Sequence, residues 1–68
     1  MEGINVAEMS KKLKSLRGKK SQAKVAKAIG ISPSALSSYE CGDRIPRDEV
    51  KIKLADYYGK TVQHIFFK

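Results

Sequence analysis

The chain has 68 residues, with 14 Lys or Arg against seven Asp or Glu and a net charge of +7; that length admits one domain, 1–68, whose core is near the lower limit for independent folding. One cysteine and one histidine exclude an internal disulfide and a structural zinc site, and the lone thiol suits a reducing compartment. The opening Met1-Glu2-Gly3-Ile4-Asn5-Val6 lacks the basic start and apolar run of a signal peptide, and no stretch approaches the roughly 20 apolar residues that cross a bilayer, so the expected location is cytoplasmic.

Five helical segments and no strand follow in chain order, an all-α pattern. The first, about Val6 to Arg17, carries Val6, Met9, Leu13 and Leu16 at spacings of three and four, one apolar stripe with lysine-rich flanks. Gly18, Lys19 and Lys20 break it, and Ser21 caps a second helix. That helix ends at Gly30, after Val25, Ala26 and Ile29, because glycine adopts the left-handed stop without a Cβ penalty. Ser32 is a natural N-cap and Pro33 suits a first helical position, so a third helix starts almost at once. So short a connection forces a steep crossing, the layout of a helix-turn-helix. Ala26 lies where the helices must approach, and a larger side chain would push them apart. Leu36 and Tyr39 face inward, leaving Ser34, Ser37, Ser38 and Cys41 outward. Cys41 to Pro46 is loop. A fourth helix, about Arg47 to Tyr58, has Asp48 and Glu49 in its first turn and buries Val50, Leu54, Ala55 and Tyr58. Gly59 ends it, and Thr61 caps a last helix from Val62 to Phe66.

Between Glu8 and Glu40 the chain has no acid but holds Lys11, Lys12, Lys14, Arg17, Lys19, Lys20, Lys24 and Lys27. A mixed-sign surface is enough for solubility, so a one-sign block points to a phosphate-facing surface. Glu40 reads as a structural partner for a nearby Arg or for the loop backbone, since a carboxylate beside a phosphate would repel it. Tyr39 reads as core, His64 as an exposed helix residue and Cys41 as inert. Ser37 and Ser38 suit either a groove or an ordinary helix surface. Tyr57, Phe66 and Phe67 offer a dimer contact through the C-terminal region, with core packing the competing reading.

Leu13, Leu16-Arg17, Ser21-Gln22, Val25-Ala26, Ile29-Gly30-Ile31-Ser32, Leu36, Tyr39-Glu40, Gly42, Pro46, Leu54-Ala55, Tyr58-Gly59, Val62 and Ile65-Phe66, in this order and spacing, resemble the Cro and cI type repressors, the XRE helix-turn-helix family. The resemblance covers essentially the whole chain. It departs between Arg17 and Ser21, where the segment is about two residues shorter than the common pattern; the first helix then ends early or enters the second at another angle. The resemblance implies a compact five-helix lambda-repressor-like fold and a homodimer that sets two copies of the third helix into successive major grooves about 34 Å apart on a palindromic operator. It places Pro33, Ser34 and Ser38 at base edges and Ser37 nearer the backbone. Gln22 would bond a phosphate at a helix N-terminus, and Lys27, Arg44 and Arg47 would supply further phosphate contacts. Serine discriminates bases weakly, so DNA shape, bridging water and thymine methyl contacts would carry much of the specificity.

An enzyme is the poorest fit, because the seven acids are scattered, one histidine is present and no glycine-rich phosphate cradle appears. No cofactor is implied. A polybasic membrane-surface helix fails because the core needs the apolar stripe of the first helix. The remaining readings are a transcriptional regulator, expected to act as a repressor, and an antitoxin or protein-binding adaptor with autoregulatory DNA binding. The adaptor would need a partner-embracing segment, and none is evident after Phe66.

Overall fold

The computed structural model describes residues 4–67, so the ends of the expected 1–68 span lie outside the described residues. Five helices follow one another: α1 (Val6–Arg17), α2 (Gln22–Ile29), α3 (Pro33–Cys41), α4 (Asp48–Tyr58) and α5 (Val62–Phe66). Side-chain caps fix four of their starts. Asn5 Oδ1 accepts from the Glu8 N–H at 3.1 Å, and Ser21, Ser32 and Thr61 hydroxyls each accept at 3.0 Å from the N–H three residues on, satisfying donors that the first helical turn leaves unpaired. Arg47 occupies the N-cap of α4 without a side-chain cap bond, so α4 starts one residue later than the sequence suggests and the Arg47 side chain takes no part in capping.

The tight turns are set by glycine. Gly30 stands at φ 79, ψ 32, the expected left-handed stop, and the Ile31 N–H closes the turn on the Ala26 carbonyl at 2.9 Å. Gly18 solves the short connection between α1 and α2. At φ 58, ψ −125 it occupies backbone space that side-chain-bearing residues avoid. Because the reversal happens at that one residue, α1 runs its full length to Arg17 rather than ending early.

The principal helix contacts close a ring in the order α1, α3, α2, α4, α5 and back to α1. Inside it lie Met9, Leu13, Val25, Ala26, Ile29, Leu36, Tyr39, Leu54, Ala55, Ile65 and Phe66. Val6, Leu16, Val50 and Tyr58, expected on the inward stripes, pack against this core while partly exposed. Pro46, read from sequence only as loop, is fully buried. Phe66 corrects one expectation: it is 2% exposed, because the single turn of α5 directs it into the ring beside Ile65, so its ring is unavailable as a dimer contact. Tyr57 and Phe67 are half-buried. Among the described residues no helix is long and apolar enough to cross a membrane.

Ala26, expected from sequence at the α2–α3 crossing, is fully buried. Ala26→Leu is expected to cost about 1 to 3 kcal/mol through overpacking, measured by urea denaturation; unchanged stability would contradict the crossing geometry.

Candidate nucleic-acid interface

The outward side of α3 is built by what its other side must do. Leu36 and Tyr39, 0% and 7% exposed, anchor it in the ring, leaving Pro33, Ser34 and Cys41 exposed and Ser37 and Ser38 half-buried. The result is a short helix whose outer surface is small and polar, a shape that fits a major groove without steric conflict. At its end the Ser38 carbonyl accepts from the Asp43 N–H at 2.9 Å and the Arg44 N–H at 3.4 Å, so the backbone carrying Arg44 is tied to the same helix. Arg44 and Arg47 are both exposed.

One buried carboxylate holds this helix to its neighbours. Glu40, 1% exposed, accepts from Arg17 Nε at 2.8 Å and from Gln22 Nε2 at 2.9 Å. Arg17 Nη1 also donates to the Lys20 carbonyl at 2.6 Å. Carboxylate, guanidinium and amide thus join α3, α1 and the start of α2, and the hydrogen bond to Glu40 raises the Arg17 pKa further. Glu40 is the structural partner expected from sequence, and its Arg is Arg17. Gln22 as a second partner was not legible, because the two positions lie 18 residues apart and only the fold joins them. A side-chain amide has two N–H donors; with one spent on Glu40, the other is left for a ligand at the first position of α2.

Beside this network sits a buried hydroxyl with no hydrogen-bond partner among the described residues, Tyr58 Oη. Burial pushes its pKa up to about 12, and the nearby Glu40 charge adds to the shift. The Tyr58 ring meets Tyr57 edge-on at 5.3 Å.

The basic block does not form one surface. Arg17 is taken by Glu40, Lys12 Nζ donates to the His64 carbonyl at the end of α5 at 2.7 Å, and Lys20 Nζ lies 5.0 Å from the centre of the Tyr57 ring. Lys11, Lys14, Lys19, Lys24 and Lys27 are exposed. The expectation that the whole block faces phosphate is therefore corrected: three of its members hold helices together. Lys27 lies on the flank of α2 that faces α4, lining a groove with Lys53, Asp56 and Tyr57, whereas Gln22 is tied through Glu40 to α3, and Arg44 and Arg47 continue from it.

Two stability tests follow from this geometry. Arg17→Met leaves a buried carboxylate with one partner and is expected to cost about 3 kcal/mol, while the Arg17→Met/Glu40→Leu pair recovers most of the loss; equal losses in single and double variants would contradict the assigned role. Folded Tyr58 holds its proton more tightly than the unfolded chain does. Its contribution is therefore intact below pH 10 and is lost as pH rises from about 10 to 12. Tyr58→Phe is expected to abolish that alkaline decrement and, by removing an unpaired buried oxygen, to raise stability at neutral pH by about 1 kcal/mol. Denaturation of both proteins at pH 7 and pH 11 checks each sign.

Comparison with known proteins agrees with the geometry. A helix-turn-helix family model matches residues 5–65. The solution structure of the SOS-response transcriptional repressor LexA from Eubacterium rectale is similar, with a TM-score of 0.81 and 33% sequence identity, covering 87% of this chain. The match spans 65% of that chain. Among curated proteins none matches the sequence. The chain belongs to the helix-turn-helix family of the Cro and cI, or XRE, type, whose members are DNA-binding transcription regulators.

Proposed function

We propose that the protein is a sequence-specific repressor that binds as a homodimer, inserting α3, about Pro33 to Glu40, into the major groove of a palindromic operator. The observation that carries the reading is the outer side of α3: small and polar, fixed from behind by Glu40, and followed by exposed Arg44 and Arg47. Pro33, Ser34 and Ser38 meet base edges. Gln22, Ser37, Arg44 and Arg47 hold phosphates on either side, and Lys27 adds a contact from the flank of α2. The copies pair through the C-terminal region, where Tyr57 and Phe67 are half-buried. Repression fits the similarity to LexA, a transcriptional repressor, and a short domain that covers a promoter needs no further activity. Such a regulator works in the cytoplasm.

Selection of bound sequences from a random duplex library at near-physiological salt tests this reading. An enriched palindrome with half-sites one helical turn apart is expected. Binding without enrichment would contradict it and direct attention to a protein partner, as the adaptor reading requires. On the selected duplex, neutralising Arg44, Arg47 or Lys27 should lower the salt slope by about one ion each. Ser34→Ala or Ser38→Ala should change preference at one operator position by roughly 1 kcal/mol or less. An unchanged slope, or unchanged preference after both serine changes, would sink the corresponding assignment.

A further inference from the structure

Ile52 stands 53% exposed on the outer face of α4, one of two exposed large apolar side chains among the described residues; Ile45, in the α3–α4 connection, is the other. Beside it, α2 and α4 border an open groove of about 590 Å³ lined by Ala28, Ile29 and Tyr57 together with the charged Lys27, Lys53 and Asp56. An exposed apolar side chain and the half-buried Tyr57 ring thus lie on one side of the same helix. In the ring of helices the principal neighbours of α4 are α2 and α5, so a partner on the outer face of α4 leaves the outer side of α3 open.

We propose that this face is the surface through which two copies of the chain associate, α4 packing antiparallel on α4 about a two-fold axis. This rests on the homodimer reading above and specifies its surface. The sequence of the face is self-complementary in one register. Glu49, Ile52, Lys53, Asp56, Tyr57 and Lys60 recur at spacings of three and four, which puts them on one stripe of the helix and its immediate continuation. With Ile52 of each copy opposite Tyr57 of the other, Lys53 falls opposite Asp56 and Glu49 opposite Lys60, and the two-fold axis repeats every pair. Two other registers bring like charges together. Setting Ile52 on Ile52 brings Asp48 against Asp56, and setting Ile52 on Lys53 brings Glu49 against Asp56. Exposed ion pairs contribute little affinity. The Ile52 side chain seated over Tyr57 supplies the attraction, and the charges choose the register. Tyr57 is fixed in place by two contacts, Lys20 Nζ 5.0 Å from its ring centre and the Tyr58 ring edge-on at 5.3 Å.

Sedimentation equilibrium of the full chain tests the pairing, with thermal melts showing that each variant is folded; Ile52, Lys53 and Asp56 are all exposed, so folding survives their replacement. The wild type is expected to dimerise. Ile52→Glu, Lys53→Glu and Asp56→Lys should each weaken the dimer by roughly tenfold or more, whereas the Lys53→Glu/Asp56→Lys double variant restores it, because each exchanged charge again meets its opposite. A dimer indifferent to all three single changes overturns the α4 pairing and leaves a homodimer by another surface. A double variant no better than the single ones likewise overturns the register. A wild type that is monomeric even at millimolar concentration overturns the pairing, and a one-to-one complex with the selected duplex would then overturn the dimer reading as well.

Discussion

The arrangement of this small fold depends on a single buried carboxylate. Glu40 lies on α3, but its two partners come from α1 and from the first residue of α2. A carboxylate taken out of water must be paired or it costs several kcal/mol, and here the pairing can be met only when three helices stand in their native relation. An apolar core of this size tolerates small slips between helices, since apolar contacts are not directional. Two hydrogen bonds to one carboxylate do not tolerate them. Glu40 therefore fixes the angle at which α3 presents its serines and, through Gln22, the position of the α2 N-terminus relative to it.

Charge is sorted by the fold into two uses. Arg17, Lys12 and Lys20 bind the protein's own carboxylate, carbonyl and aromatic ring, cross-linking helices whose apolar area is limited in a 68-residue chain. The other cations of the basic block, with Arg44 and Arg47, stay exposed and keep a positive field around α1, α2 and the α3–α4 connection, which favours a polyanion over long distances but gives no sequence information. In the proposed complex the reading of bases is left to a helix with little charge of its own. α4 by contrast exposes both signs, Glu49 and Asp56 beside Lys53.

Nearly all of the helical framework was legible in the chain. Its boundaries are written in local chemistry: Ser21, Ser32 and Thr61 as caps, Gly30 and Gly59 as stops, Pro33 at a helix start. These signals act over three or four residues, so sequence contains them whole. What was missed is non-local. The assignment of Lys12 to the end of α5 spans 52 residues, and no pattern of lysines distinguishes a cross-linking lysine from a solvated one. The same limit made Phe66 ambiguous, since an aromatic in a five-residue helix shows no periodicity from which to read its inner side. Pro46 signalled a break in helix, a backbone property, and was silent about the burial of its ring. The candidate base-facing residues came from resemblance and from the inward anchors Leu36 and Tyr39, which by elimination leave the serines outside.

The central claim is that α3, rather than the lysine-rich surface of α1, faces nucleic acid. Backbone amide shifts followed by NMR during titration with a short duplex at low salt test it directly. The largest changes are expected at the start of α2, along Pro33 to Ser38 and at Arg44 to Arg47, with Lys11 and Lys14 little affected. Changes centred on α1, leaving Ser34 and Ser38 unmoved, would contradict it and reduce the binding to its electrostatic part.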